Sequence, residues 1–332
     1  MILSVLDQSN ACSGRPQSEA IQDSLALARR CEDLGYHRYW VSEHHNSDGI
    51  VGTAPEILIA AIAATTSRIR IGSAGVMLPH YSALKVAEQF RVIEAIAPGR
   101  IDLGLGRAPG SDRMTSFALN PDAARAHEAF PRQVIDLRNW VSGKPLEPEH
   151  PFVGIGAHPT GPTSPSLWML GSSDYGARLG AQLGLPYAFA YFFTEGHGVE
   201  QALSLYRQYF TPSEAQPTPY ATVCVWALTA ETDEEARYWF RSREHWRVGF
   251  EQGRREPLMS PDDIDTSRYS AQERARIKAL GQSAFVGTPD KVATQLHTLA
   301  DALQLDELVV VTWAHDPQAR IRSYELLAEA MM

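Results

Sequence analysis

The run Tyr39-Trp40-Val41-Ser42-Glu43-His44-His45-Asn46 sets a carboxylate and two adjacent imidazoles at the end of a short apolar stretch, and the flexible Asn46-Ser47-Asp48-Gly49 follows it. Histidine titrates near neutrality, so a neutral imidazole at a strand end facing a loop is placed to move a proton or bind a metal. Adjacent residues of an extended chain point to opposite faces, and no carboxylate-rich partner motif supplies further ligands, so no metal site is expected. Taken alone, an HH dipeptide is more often a pair of surface histidines. The place of this strand in a repeating pattern argues otherwise.

A second group can hold an anion. Gly171-Ser172-Ser173-Asp174 joins a strand to a helix, and its free N–H groups, hydroxyls and helix dipole would suit a phosphate. Arg107 would add a charge-assisted bond to the same phosphate. Simple helix capping is the competing reading of Gly-Ser-Ser. The glycine-rich Gly104-Leu105-Gly106-Arg107-Ala108-Pro109-Gly110 misses the spacing of a dinucleotide fingerprint. There is also no G-x-S-x-G elbow and no P-loop. Tyr81, Tyr191, Phe192, Phe193 and Trp313 lie near expected strand ends and would line a wide apolar pocket, with core packing as the alternative.

The elements that would position these groups alternate. Strands are expected at Ile2–Leu6, Tyr39–Glu43, Ile69–Met77, Ile101–Gly106, Leu167–Gly171, Tyr187–Phe192, Thr222–Leu228 and Leu308–Trp313. Helical faces recur between and after them, such as Ile21, Leu25, Ala28 and Cys31, or Val292, Leu296, Leu299 and Leu303. Eight strands, each followed by a helix, predict a (β/α)8 TIM barrel as a single domain over residues 1–332. A two-domain Rossmann arrangement is the alternative. Two stretches, 143–166 and 253–284, break the alternation and are expected as insertions covering the C-terminal face, where such barrels collect their reacting groups. Reading the strand ends for such groups selects Asp7, Glu43-His44-His45, Ala74-Gly75-Val76-Met77, Arg107, Gly171-Ser172-Ser173 and Tyr191.

Helix 55–67 (PEILIAAIAATTS) is apolar on nearly every side. Its outer side is therefore expected to meet a second copy, beside helix 82–96, unless an insertion covers it.

Composition sets limits. The chain has 332 residues, 44% of them hydrophobic, with 30 basic against 39 acidic side chains and a net charge of −9. That balance argues against a nucleic-acid surface. The longest apolar run, Ile57–Ala64, is too short to span a bilayer. The N-terminal MILSVLDQSN lacks a basic region and meets Asp7 early, so no signal peptide is expected. Cys12, Cys31 and Cys224 are few, odd in number and widely spaced, which fits a reducing cytoplasm and no disulfide framework.

Five segments in order carry a family likeness: WVSEHHN (40–46), IRIGSAGVMLPHYSALKVAEQ (69–89), APGRIDLGLGRAPGSD (97–112), MLGSSDYGARLGAQLGLPYAFA (169–190) and FVGTPDKV (285–292). Together they resemble the bacterial luciferase-like flavin-dependent monooxygenases, nearest to the single-chain, natural-product-tailoring members. The resemblance implies His44 as the active-site histidine, with Glu43 and His45 beside it. It implies a flavin phosphate site at Arg107 and Leu170-Gly171-Ser172-Ser173, and an Ala74–Gly75 cis peptide under the flavin ring with Met77 nearby. It sets Tyr191 beside the flavin. Luciferase has a reactive cysteine where this chain has Gly106, which puts light emission in doubt.

The implied activity is that of a two-component FMN-dependent monooxygenase. Reduced FMN from a separate NAD(P)H:flavin reductase would react with O2 through a C4a-(hydro)peroxyflavin. The product would be a hydroxylated or epoxidised organic substrate, such as an aromatic polyketide in antibiotic biosynthesis. Deazaflavin-dependent hydride transfer and flavin binding without turnover are the alternatives.

Overall fold

Strand β1 (Ile2–Asp7) pairs in parallel with β2 (Arg38–Val41) on one side and β9 (Glu307–Val311) on the other. In the computed structural model, which describes residues 1–332 apart from Pro109, Ser111, Glu214 and the side chain of Ala124, every further neighbour is parallel too. The chain continues through β3 (Arg70–Met77), β4 (Ile101–Gly106), β5 (Ser166–Gly171), β6 (Tyr187–Phe189) and β7 (Ala221–Thr229). The β6–β7 and β7–β9 pairings then close the ring. Of the nine strands in the sheet, β8 (Phe285–Gly287) adds only to the C-terminal end of β7, so eight form the barrel. This is the expected (β/α)8 barrel with one extra strand outside it.

Helices α1 (Gln17–Leu34), α2 (Pro55–Thr65), α3 (Ala83–Ile96), α4 (Arg113–Leu119), α5 (Ala123–Glu128), α6 (Phe130–Ser142) and α7 (Asp174–Gln182) follow the first five strands. After them come α8 (Tyr191–Thr194), α9 (Val199–Gln208), α10 (Asp233–Glu251), α11 (Ala271–Ser283), α12 (Pro289–Leu303) and α13 (Pro317–Met331). Among the described residues, no helix is long and apolar enough to cross a membrane.

Strand alternation sorts the core into two layers. Leu3, Val5, Tyr39, Val41, Val223, Val225, Leu308 and Val310 point outward to the helices. Their neighbours Leu6, Trp40, Cys224, Trp226, Val309 and Val311 point into the barrel. The N-terminal end of the lumen is plugged by charge. Arg38 donates to Asp102 at 2.7 Å and to Glu307 at 2.6 Å, Arg70 donates to Asp102 at 2.6 Å, and Tyr220 donates to Glu307 at 2.6 Å. The open end of the lumen is therefore the C-terminal one.

Two expectations need correction. Segment 143–166 runs from the end of α6 into the start of β5. A helix-to-strand connection returns to the N-terminal ends of the strands, so it cannot cover the C-terminal face. Instead, Arg91 of α3 binds the carbonyls of Pro159 and Thr163, and Trp140 binds that of Ile155. Segment 253–284 does reach the C-terminal face, where Gly253 and Arg255 border the cavity. The second correction concerns strand length. β2 stops at Val41 and β6 at Phe189, so Glu43 and Tyr191 lie beyond them.

Candidate active site

Beyond the C-terminal strand ends lies a cavity of about 1020 Å³. The loop after β2 supplies Glu43, His44 and His45 to its wall. Glu43 is 2% exposed and serves as a hub. It accepts the Tyr81 hydroxyl at 2.5 Å and the Met77 amide at 2.9 Å, and His45 Nε2 lies 2.8 Å from the same carboxylate. Burial and Glu43 push the Tyr81 phenol well up, so it stays protonated and donates. Glu43 thus ties the histidine loop to β3 and to the segment before α3.

His44 is held differently. Its amide donates to the Gly52 carbonyl at 2.9 Å, and its Nδ1 lies 3.1 Å from Ser42 Oγ. Nε2 makes no hydrogen bond among the described residues. Burial, with a smaller contribution from His45, pushes the imidazole down to about 4, while Glu43 opposes the shift. The ring is therefore neutral at pH 7 and able to take or return a proton.

The floor comes from β3. The Ala74–Gly75 peptide is cis, and the β3–β4 register shifts between Ser73 and Val76. A Cβ on Gly75 would collide with Leu170 Cδ1 and come within 2.8 Å of the Gly104 carbonyl, so only glycine fits. Gly106 is different: among the described residues a Cβ there would meet nothing nearer than the Val76 carbonyl at 3.7 Å.

A set of hydrogen-bond donors gathers where β4 and β5 end. Arg107, Leu170, Gly171, Ser172 and Ser173 all line the cavity. Ser173 is the N-cap of α7, yet its side chain makes no capping bond. The Arg107 guanidinium lies 3.6 Å from the centre of the Tyr175 ring and forms no ion pair among the described residues. Two spare hydroxyls, the first amides of α7 and an unpaired guanidinium are donors suited to a phosphate. Pro109 and Ser111 of the motif at 97–112 lie outside the described residues.

Two strand-end candidates do not reach the cavity. Tyr191 opens α8, turns away and packs against Phe285 with ring centres 6.2 Å apart, whereas Ala190, Phe192 and Phe193 line the wall. Tyr187 and Phe189 already face the helices while Ala188 faces the lumen, so the alternation itself puts Tyr191 on the outer side. Asp7 faces outward, accepting from Arg320 at 2.7 Å and Tyr39 at 2.7 Å, and Gln8 lines the cavity instead.

The far wall is aromatic and escaped the sequence reading except at Trp313. Trp226 of β7 meets Trp313 edge-on at 4.9 Å, and Trp246 of α10 meets Trp313 at 4.6 Å and stacks on Phe250 at 4.9 Å. The i,i+4 spacing of Trp246 and Phe250 was a visible signal of one helix face. That this face leans over the barrel mouth was not visible. Arg243, Arg247 and Arg255 join the same wall.

The chain matches the luciferase-like monooxygenase family over residues 1–304. It belongs to that family. An uncharacterized Bacillus subtilis protein, YwcH, is 43% identical over 99% of this chain and 98% of its own length. An N-acetyl-S-alkylcysteine monooxygenase of Bacillus subtilis is 34% identical over 99% and 98%. Among solved structures, apo-MsnO8 shares 38% identity with a TM-score of 0.88, covering 99% of this chain and 98% of the other. The oxygenating constituent of 3,6-diketocamphane monooxygenase from Pseudomonas putida, in complex with FMN, shares the fold at 18% identity, a TM-score of 0.74, and 100% and 99% coverage. This luciferase-like monooxygenase is therefore an enzyme whose barrel mouth brings together the histidine loop, the cis peptide and the donors Arg107, Ser172 and Ser173.

Proposed function

We propose that this monooxygenase uses reduced FMN and O2 to hydroxylate or epoxidise an apolar organic substrate, of the kind found among aromatic polyketides. One observation carries the reading: a single cavity is lined by the phosphate donors Arg107, Ser172 and Ser173, by His44, and by three tryptophans. Its volume lies at the upper end of small-molecule sites, about 300–1,000 Å³, enough for a flavin and a second molecule. Reduced FMN, when bound, supplies the electrons that activate O2. Arg107, Ser172, Ser173 and the N-terminus of α7 bind the phosphate, and the Gly75 backbone, with Leu170 and Met77, gives the ring a bed without side-chain obstruction. His44 Nε2 exchanges a proton with the substrate, and the Trp226–Trp246–Trp313 wall excludes water. The lack of a dinucleotide fingerprint supports a separate NAD(P)H:flavin reductase as electron source, and the free Cys12, Cys31 and Cys224 support a reducing cytoplasm as the site of action. Ile57 of α2 and Val92 and Ile96 of α3, exposed at 67%, 50% and 49%, support a homodimer through those helices. Sedimentation would test that, with Ile57→Glu expected to yield monomer.

The decisive experiment mixes the protein and anaerobically reduced FMN with oxygenated buffer and follows flavin reoxidation. Reoxidation much slower than that of free FMN is expected. Reoxidation at the free rate, together with oxygen-independent turnover by reduced deazaflavin, would overturn the reading in favour of hydride transfer. His44→Ala should abolish product while FMN affinity stays within a few-fold.

A further inference from the structure

The buried arginines of this chain form an instructive set. Arg38 is paired with Asp102 and Glu307, and Arg320 with Asp7. Arg91 donates to the carbonyls of Pro159, Val141 and Thr163. Arg243, in the middle of α10, is 3% exposed and matches none of them. Its Nε is buried without a partner, and among the described residues its guanidinium makes no hydrogen bond and no ion pair. Its neighbours are ring faces: Trp226 at 4.5 Å and Phe240 at 5.7 Å. An aromatic face offsets only part of the cost of taking a guanidinium out of water.

The nearby carboxylates are committed elsewhere. Glu195 is bonded to Arg276 and Ser283, and Glu251 is shared by Arg247 and Arg276. Glu244, the next residue along α10, is itself pushed up to about 7 by burial. Burial and Arg247 hold Arg243 down to about 9, still a cation at neutral pH. Among the described residues, no carboxylate therefore pairs with the Arg243 guanidinium. The guanidinium borders the same cavity as His44, Trp226, Trp246 and Trp313. The flavin phosphate has donors of its own at the ends of β4 and β5, whereas Arg243 stands on the helix after β7.

We infer that Arg243 anchors an acidic group of the substrate, so that the enzyme acts on apolar organic carboxylates whose rings or chains lie against the tryptophan wall. A planar guanidinium can hold a carboxylate through two parallel bonds, and that match both orients the ligand and gives the guanidinium an anionic partner. The inference rests on the monooxygenase reading only for the claim that the bound acid is the substrate.

The test is calorimetric titration of the protein, with and without FMN, using aryl and alkyl carboxylates of increasing length, each paired with its primary amide, and using inorganic phosphate. At least one acid should bind tenfold or more tighter than its amide. Arg243→Met should weaken that acid at least tenfold, leave the amide unchanged and leave FMN affinity unchanged, while Arg243→Lys recovers part of the loss. Equal binding of acids and amides, failure of every acid to bind, or an acid indifferent to Arg243→Met would overturn the inference. So would a loss of phosphate and FMN binding in that variant, which would make Arg243 a flavin residue. If Arg243→Met does not fold by circular dichroism, the acid–amide comparison in the native protein and the lysine variant still decide. Failure of the native protein to bind FMN would sink the monooxygenase reading and leave the acid–amide result standing on its own.

Discussion

The Tyr81 hydroxyl donates to Glu43 Oε1 at 2.5 Å, so the carboxylate beside the two histidines is a structural post rather than a free base. With the Met77 amide on its other oxygen and His45 against the first, Glu43 has little left to offer a substrate. Tyr81→Phe removes one of three ties and should cost about 1–3 kcal/mol of stability. Product formation should fall modestly, through looser placement of His44. Denaturant melts and steady-state kinetics check this; a collapse of kcat at unchanged stability would instead give Tyr81 a direct chemical role.

His44 sets a pH dependence. Its folded value of about 4 lies below its ordinary 6.5, so above about pH 6.5 the ring is neutral in both states and costs nothing. As pH falls from there to about 4, the unfolded chain binds a proton that the folded one refuses, and stability drops. Glu244, raised to about 7, acts with the opposite sign between its ordinary value of 4.5 and 7, so native stability alone would blur the effect. The difference between native protein and His44→Asn isolates it. The native protein should lose stability relative to the variant on acidification between those limits, and parallel curves would refute the shift.

Arg107→Ala should weaken FMN binding by about ten- to a hundredfold, the range expected for removing a charge-assisted hydrogen bond. The folded state should be nearly unaffected, because Arg107 makes no ion pair among the described residues. Flavin fluorescence titration reads the affinity. An unchanged dissociation constant would remove the phosphate role.

Arg320→Met leaves the fully buried Asp7 facing Tyr39 without its cation. Breaking a buried pair in this way costs about 3–5 kcal/mol. A melting temperature lower by several degrees is expected, with FMN affinity intact below the transition. Loss of FMN binding in protein that is still folded would mean that Asp7 does serve the site.

The strand expected at Tyr39–Glu43 shows how much was legible in one dimension: the recurrence of such strands between helical stretches led to the barrel and to its reacting end. His44, the Ala74-Gly75 pair, Arg107 and the Gly171-Ser172-Ser173 turn could be named because each occupies a strand terminus, and a barrel gathers strand termini at one mouth. Local physics carries that far: side-chain periodicity, glycine at tight approaches, hydroxyls at a helix start.

Other features had no local signature. Tyr191 reads as the continuation of a strand, but the chain turns into α8 and packs the half-buried ring against Phe285. Segment 143–166 looks like any Pro- and Gly-rich cover, and only the closed topology assigns it to the far end. Trp246 and Arg243 sit on a helix that could have faced solvent. Their position over the mouth depends on how α10 leans on β7 and on the segment after it, and so does the arginine's lack of an ion pair among the described residues. Such contacts join residues distant in sequence, so their energies depend on packing that no window of the chain contains.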